Sequence, residues 1–300
     1  MEVRADEHLS RLLEMCKRGR IFFFSPSKKL CVWLCVGYVT KILTRSDSST
    51  LFDETNEHKH TKMTKIAILC TSATTFGKSA EKKPTGVWLE EIAVPYYSMM
   101  EKKFSVDFFS VKGGEIPIDA GSRGEGFYTP ECVKFDKDDT AQALMKTSKG
   151  LSELNVEEYD GIFLPGGHGC CTDFYSNQDL AKTIEQFLTA KKAVALDCHA
   201  PIALLSCKKA DGTTPLVSGM SVTGFSDEEE GHVGMQEEVP ALIEKEMVAQ
   251  GAKYSKAEGA WGAHAVVEGT LVTGQNPASS KVCVEKFVEL LALTQTQVVN

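Results

Sequence analysis

The chain has 300 residues, of which 42% are hydrophobic and 25% charged, as in ordinary globular proteins with one large or two smaller domains. Its formal net charge is −8 and no basic stripe is visible, which argues against a nucleic-acid partner. Ten cysteines without the dense spacing of a disulfide scaffold predict a reducing, cytoplasmic location. The absence of a C-x-x-C pair argues against a structural zinc site.

The first 62 residues differ in composition from the rest. We predict an irregular N-terminal extension over 1–62 and a folded α/β domain over 63–300. An apolar run from Leu30 to Tyr38 follows basic residues and has the length of a signal-peptide core, but no small-residue cleavage site follows it. The run is too short for a membrane span, so no membrane partner is expected. A signal or anchor role for the extension stays open.

From Lys65 onward, short apolar runs alternate with segments of helical periodicity. The predicted strands are 65–69, 105–111, 159–164 and 193–196. The predicted helices are 87–100, 138–150, 179–191, 239–251 and 279–293, with a long polar loop at 113–130 and a hairpin at 264–274. This alternation predicts a doubly wound, mostly parallel sheet sandwiched by helices. Such sheets bind ligands at the carboxyl ends of their strands.

The segment Lys191–Ser206, KKAVALDCHAPIALLS, joins a predicted strand to an apolar helix with almost no loop. Cys198 lies at this junction, as the nucleophile does in a strand–turn–helix elbow. A helix N-terminus would lower the pKa of the thiol and increase its thiolate fraction. We therefore hypothesise that Cys198 is a nucleophile. The alternative is a buried cysteine that acts only as a small hydrophobic residue.

Three other segments contain groups that could serve this cysteine. The PGGHG turn after the 159–164 strand could direct backbone N–H groups, together with that of His199, at an oxyanion. Of Glu90 and Glu91 on the first helix, one should face the crevice and the other water. An acid from 227–230 could orient the His199 ring, as in catalytic triads. The alternatives are an ordinary glycine turn, a solvated helix face and a solvated acidic turn.

Several separated motifs occur in an order that resembles one known group of proteins. They are TGVWLEEIAVPY, GGEIPID, FLPGGHG, LDCHAP, VTGFSDEEE and TGQNPASS. Over about residues 65–293 the chain resembles the ThiJ/PfpI superfamily, and within it the heat-shock-type, glutathione-independent glyoxalases (glyoxalase III). The resemblance implies a flavodoxin-like sheet related to class I glutamine amidotransferases, and a homodimer.

The resemblance also implies roles for particular residues. Cys198 matches the elbow cysteine, His199 the histidine after it, Glu91 the helix glutamate near the thiol, and Glu230 the acid that orients the histidine. The N–H groups of Gly167 and His199 match the oxyanion donors. No metal or other cofactor is implied.

Two residues depart from the pattern of this group. Ala200 replaces a glycine, and its methyl group could crowd the helix against the strand. Asp197 replaces a small apolar residue, and its carboxylate would raise the pKa of the neighbouring thiol. Both departures concern the level of activity more than the fold.

The implied activity is conversion of methylglyoxal, a small 2-oxoaldehyde, to D-lactate through a Cys198 hemithioacetal and an enediolate, with Glu91 moving the proton. No G-x-G-x-x-G or P-loop pattern occurs, so no nucleotide cofactor is predicted. One alternative is a redox-sensing stress chaperone, with Cys170 or Cys171 as the resolving thiol. Another is a protein deglycase or peptidase that uses Cys198. Trp261 and His264 could line the pocket, but packing in the core is the favoured prediction.

Overall fold

The structure is a computed structural model that describes residues 63–298. The predicted extension over 1–62, with its apolar run and its proposed signal or anchor role, lies outside these residues. The strands are β1 Lys65–Cys70, β2 Thr75–Phe76, β3 Lys83–Pro84, β4 Ser105–Ser110, β5 Lys149–Gly150, β6 Gly161–Leu164, β7 Ala193–Leu196, β8 Ser221–Val222, β9 Lys253–Tyr254, β10 Ala265–Glu268 and β11 Leu271–Gly274. The α-helices are α1 Leu89–Glu101, α2 Pro130–Asp136, α3 Asp139–Lys146, α4 Cys170–Asp173, α5 Gln178–Thr189, α6 Asp227–His232, α7 Ile243–Ala249 and α8 Ser280–Val298.

Seven strands form the main sheet, in the order β10-β11-β7-β6-β1-β4-β5. Every neighbouring pair is parallel except β10 with β11. Without the two edge strands, the central strands follow the flavodoxin-like order, in which the first strand lies between the second and the third. The predicted doubly wound, mostly parallel sheet is therefore confirmed. Its connectivity changes direction between β1 and β6, where such folds form their ligand crevice.

The central strands are buried on both faces, which explains why they appear as continuous apolar runs in the sequence. All four residues of β6 and all four of β7 are buried. Alternate residues of β1 enter two separate core clusters. Ile92 of α1 and Phe287 of α8 lie in one cluster, and Ile184 of α5 lies in the other. Helices therefore cover both faces and leave the carboxyl ends of the strands as the open edge.

The structure differs from the sequence prediction in three connecting segments. Helix α2 begins at Pro130, where a polar loop was expected to end; proline fits the first helical turn because no N–H is needed there. The segment after the elbow, Ala200–Ser206, is a 3-10 helix. The acidic turn is the short helix α6, which begins at the capping residue Ser226. Within residues 63–298, no helix has the length and hydropathy to cross a membrane.

Candidate active site

Cys198 occupies the sharp turn between β7 and the 3-10 helix. Its φ of 57° lies in the left-handed region, which is costly for a residue with a side chain. The Cys198 N–H is held by the Gly274 carbonyl at 3.1 Å and by Asp197 Oδ1 at 3.0 Å. The thiol is only 3% exposed and lies at the carboxyl edge of the sheet. This geometry is that of a nucleophile elbow.

His199 links the thiol to Glu230. Its Nδ1 lies 3.3 Å from Cys198 Sγ, and its Nε2 lies 2.9 Å from Glu230 Oε2. Burial opposes ionisation of Glu230, but His199 and His168 outweigh it and lower the pKa of this carboxyl to about 2. The carboxylate therefore accepts the Nε2 proton, which leaves a lone pair on Nδ1 toward the thiol. Burial and the neighbouring His168 lower the pKa of His199.

Glu91 approaches the thiol from helix α1. It is fully buried, and its Oε2 accepts a hydrogen bond from the Gly166 N–H at 2.7 Å. Its Oε1 has no hydrogen-bond partner within the described residues. Burial and the Asp197 carboxyl raise the pKa of Glu91 well above its usual range, and the Cys198 thiol and the Gly166 N–H offset this only in part. The sequence left open which glutamate faces the crevice; Glu90 is half-buried.

The pKa of the Cys198 thiol is raised well above its ordinary value, chiefly by burial and then by Glu91 and Asp197. The expectation that a helix N-terminus lowers it is wrong. The segment that follows is a 3-10 helix, and two carboxyl groups lie beside the sulfur. The resting group is therefore a thiol, and it needs a base to take its proton during reaction.

Asp197 is fully buried, and each oxygen of its carboxyl group has a hydrogen-bond partner. Its Oδ1 accepts the Cys198 N–H, and its Oδ2 accepts the Ser280 hydroxyl at 3.0 Å. Burial raises the pKa of this carboxyl to about 8, although the two hydrogen bonds oppose the shift. A side chain at Gly274 would overlap Asp197 Oδ1, so the glycine leaves room for the carboxyl group. Asp197 is thus a buried group that retains its proton at neutral pH.

Ala200, the other departure from the family pattern, is fully buried in the core cluster that also contains Cys198. It is not among the residues with positive φ, and its N–H donates to the Asp197 carbonyl at 2.9 Å. The structure accommodates its methyl group without left-handed backbone at this position.

The acidic run 227–230 divides between surface and interior. Glu228 is exposed, whereas Glu229 and Glu230 are buried. Glu229 Oε1 accepts hydrogen bonds from the Trp261 N–H at 2.9 Å, the Gln275 amide at 2.9 Å and the Asn276 amide at 2.7 Å. Glu229 Oε2 accepts two more from the backbone N–H and the hydroxyl of Ser226. Glu229, which the sequence did not single out, therefore anchors three segments beside Glu230.

His168 is the site residue that the sequence interpretation missed. It lies in the PGGHG turn, and its Nε2 is 2.8 Å from Glu230 Oε1. Its ring stacks on Phe76 with centroids 4.6 Å apart and lies 4.0 Å from the His199 ring. The available signal was its place directly after a buried strand, at the edge where ligands bind. A histidine at this position is therefore a candidate site residue as well as part of the turn.

The glycine turn lies against the elbow. Gly167 has a φ of 104°, which favours glycine. A Cβ on Gly166 would lie 2.7 Å from the His199 backbone nitrogen and 2.8 Å from Glu91 Oε2. The turn and the elbow thus approach each other closely at Gly166, whereas Gly167 packs against the backbone of Gly86 and Trp88. The role of the Gly167 and His199 N–H groups as oxyanion donors stays a prediction.

Within residues 63–298, one group of side chains has the geometry to hold a metal ion. The ligand atoms of His168, His199 and Glu230 lie within 4.8 Å of one another. Both imidazole Nε2 atoms already bond to Glu230, so an ion would have to replace those hydrogen bonds. The absence of a metal stays a prediction.

Two other predicted residues have clear positions. Trp261 is 38% exposed, has a φ of 67° and contacts Phe225 at a centroid distance of 5.8 Å. Its prediction as a core residue is wrong: its N–H donates to the buried Glu229, but its side chain is exposed. His264 is half-buried and bonds Ser255 Oγ at 2.9 Å.

The seven cysteines among the described residues are free and buried. They include Cys170 and Cys171. Burial raises the pKa of both thiols well above the ordinary value.

The family model described as DJ-1/PfpI matches residues 84–290 of this chain. The chain belongs to the DJ-1/PfpI family. The matched range contains Glu91, His168, Cys198, His199 and Glu230.

Within the family, the chain is 30% identical over 213 residues to Glutathione-independent glyoxalase HSP31 of Saccharomyces cerevisiae, covering 69% of this chain and 90% of the relative. Its fold is similar to the crystal structure of glyoxalase III from Candida albicans, with a TM-score of 0.68, 25% identity and coverage of 76% of this chain and 97% of that one. It is also similar to Rapid Encystment Protein 24 KDa of Francisella tularensis, with a TM-score of 0.71, 34% identity and coverage of 76% and 99%.

Proposed function

We propose that this protein is a glutathione-independent glyoxalase that converts methylglyoxal to D-lactate. One observation supports this above all: a buried thiol lies between a lone-pair nitrogen of His199 and a buried Glu91 whose raised pKa lets it both give and take a proton. Isomerisation of an aldehyde beside a ketone needs those three groups. The names of the relatives described above support the same substrate class.

The first step joins substrate and enzyme. The Cys198 proton passes to His199 Nδ1 as the sulfur attacks the aldehyde carbon, and Glu230 stabilises the resulting imidazolium. Glu91, protonated beforehand, gives its proton to the aldehyde oxygen. The product is a neutral hemithioacetal beside a Glu91 carboxylate. The N–H groups of Gly167 and His199 are proposed to stabilise negative charge on oxygen during this step.

The second step moves a proton between carbons. The Glu91 carboxylate removes the C1 proton while His199 protonates the C2 oxygen, which gives an enediol. Glu91 then returns the proton to C2 and His199 takes the proton of the C1 hydroxyl. The product is a lactoyl thioester on Cys198, and water hydrolyses it to lactate. These steps involve no net oxidation or reduction of the substrate, and Cys198 provides the thiol. The reaction therefore requires neither a redox cofactor nor glutathione.

The test is D-lactate formation from methylglyoxal by the purified full-length protein in the absence of glutathione. Wild type should form lactate, and Cys198→Ala should lose on the order of 10⁴-fold or more in rate. Cys207→Ala is the matched control, because this buried thiol has the Ala181 and Ala203 carbonyls as its hydrogen-bond partners and none of the site residues. Lactate formation by Cys198→Ala at the wild-type rate would contradict the proposal.

The alternatives use the same cysteine. A protein deglycase or peptidase would require Cys198 too, and a comparison of lactate formation with release from glycated peptides separates them. A peroxide sensor is less well supported, because the raised pKa of the thiol reduces the thiolate that reacts with peroxide.

Two predictions about the protein's context accompany this function. The free state of all seven described cysteines supports a reducing, cytoplasmic location. The family resemblance supports a homodimer. Light scattering on the eluted protein checks the mass, and fractionation of cells checks the location.

A further inference from the structure

Hydrolysis of the thioester needs a base for water, and His199 is poorly placed to provide it. In the thioester state proposed above, its Nδ1 already holds the proton taken from the C1 hydroxyl, and its Nε2 is bonded to Glu230 Oε2. Its side chain is only 2% exposed, so solvent scarcely reaches it. A second basic group that contacts both the crevice and solvent would solve this difficulty.

His168 has these properties. Its side chain is 14% exposed, seven times the exposed fraction of His199. Its ring centroid lies 4.0 Å from that of His199, so it lies within the same group of side chains. Stacking on Phe76 fixes the plane of the ring. It is therefore positioned at the solvent side of the thiol site.

Glu230 also fixes which nitrogen of His168 is basic. Its two oxygens are divided between the two histidines, Oε1 with His168 Nε2 at 2.8 Å and Oε2 with His199 Nε2 at 2.9 Å. A carboxylate only accepts, so each neutral ring carries its proton on Nε2. The lone pair of His168 is then on Nδ1, for which no partner is found within residues 63–298. The Glu230 carboxylate thus leaves a lone pair on Nδ1 of both histidines, and only that of His199 contacts the thiol.

We propose that His168 is a second catalytic base, whose Nδ1 takes a proton from the water that hydrolyses the Cys198 thioester. The water oxygen bonds to the thioester carbonyl carbon as its proton passes to Nδ1. The carbon–sulfur bond then breaks, and its electron pair stays on the Cys198 sulfur. The new carboxylic acid releases its remaining proton to solvent, and the proton held by His168 restores the thiol. The proton that His199 took from the C1 hydroxyl returns to Glu91, so that both groups regain their starting states. This inference rests on the proposed glyoxalase function.

The test measures hydrolysis separately from thioester formation. Enzyme in excess over methylglyoxal is quenched in acid at successive times, and hydroxylamine then converts each Cys198 thioester to a countable hydroxamate. The variant is His168→Gln, whose side-chain amide retains a donor for Glu230 but has no basic nitrogen. His264→Gln is the matched control, since that ring bonds Ser255 outside the site.

We expect the thioester of His168→Gln to decay about 10²-fold more slowly than that of wild type, while its formation changes by less than about threefold. Hydroxylamine added before the quench should release it at the wild-type rate, because this nucleophile needs no base. The control should match wild type in both phases.

Several outcomes would overturn the role of His168. They are equal decay in variant and wild type, a loss in thioester formation as large as the loss in decay, and failure of the variant to form thioester. If wild-type thioester is too brief to count, equal single-turnover lactate rates in both proteins have the same meaning. A wild type that forms neither thioester nor lactate would instead contradict the proposed function itself.

Discussion

The two sides of the Cys198 thiol contain buried carboxyl groups in opposite protonation states. On the side of α1 and the elbow, Glu91 and Asp197 have raised pKa values, that of Asp197 about 8. On the side of α6, the pKa of Glu230 is lowered to about 2. All three are nearly or fully inaccessible to solvent, and in each case burial favours the neutral form.

The difference lies in the groups that face each carboxyl. Glu91 has one backbone donor and a carboxyl neighbour, whereas Glu230 has an imidazole at each oxygen. Burial alone therefore does not determine the charge of a carboxyl group; the number and the sign of its neighbours do. The thiol lies between a group that holds a proton and a group that stabilises a positive charge.

Replacing Glu91, the carboxyl group on the α1 side of the thiol, should have the largest effect on turnover. We expect Glu91→Gln to lower kcat about 10³-fold, because an amide cannot carry the C1 proton, although its oxygen still accepts the Gly166 N–H. Glu90→Gln, on the adjacent half-buried glutamate, is the matched control and should change kcat by less than about threefold. Steady-state lactate formation measures both, and similar losses in the two variants would show that the role assigned to Glu91 is wrong.

Weakening the hydrogen bonds of Glu229, which lies beside Glu230 on α6, should lower the free energy of unfolding. Glu229→Gln replaces a carboxylate with five hydrogen bonds by an amide whose NH₂ group meets donors. We expect the free energy of unfolding to fall by about 3 kcal/mol. Urea denaturation measures this, with Glu228→Gln on the exposed neighbour as the control. An unchanged unfolding midpoint would show that these bonds do not stabilise the fold.

Neutralising the Glu230 carboxylate should lower kcat about 10²-fold and shift the pH profile of kcat/KM. Glu230 raises the pKa of His199, so Glu230→Gln should lower it further and keep the imidazole neutral at lower pH. The acidic limb of kcat/KM against pH should therefore shift to lower pH. A shift in the opposite direction would contradict the pairing of Glu230 with the catalytic base.

The last effect is a slope, the change of stability with pH, and it is smallest when measured per pH unit. Asp197 binds a proton in the folded protein up to about pH 8 but loses it near pH 4 when unfolded. Its stabilising contribution is therefore present below pH 4 and decreases as pH rises toward 8. Asp197→Asn should reduce the loss of unfolding free energy between pH 5 and 8 by up to about 1.4 kcal/mol per pH unit. Identical slopes in variant and wild type would mean that Asp197 is ionised in the fold.

The sequence was most informative where structure depends on neighbours in the chain. The apolar runs predicted β6 and β7, and the missing loop after β7 predicted the elbow at Cys198. The glycine turn was placed at the correct edge of the sheet because parallel strands end together. The pairing of residues that lie far apart in the chain came instead from the family resemblance, which brought Glu91 and Glu230 to Cys198.

What the sequence could not predict depends on the partners that each group meets in the fold. His168 meets Glu230 across 62 residues, and Glu229 meets Asn276 across 47. The effect of Asp197 on the pKa of the thiol was predicted correctly, but the lowering expected from a helix N-terminus was wrong. Burial raises this pKa most, and the carboxyl group of Glu91 comes from another element. The core prediction for Trp261 was wrong because an apolar side chain is not by itself evidence of burial.

The contact between Asp197 and Gly274 links two positions that are distant in the sequence but adjacent in the fold. A side chain at 274 would overlap the buried carboxyl group, so position 274 must stay glycine while Asp197 is present. In relatives with a small residue at the position of Asp197, the glycine constraint is lifted and a side chain can fill the space. The residues at 197 and 274 should therefore covary across the family. Replacing Asp197 with a small residue should allow residues other than glycine at position 274, at the end of β11.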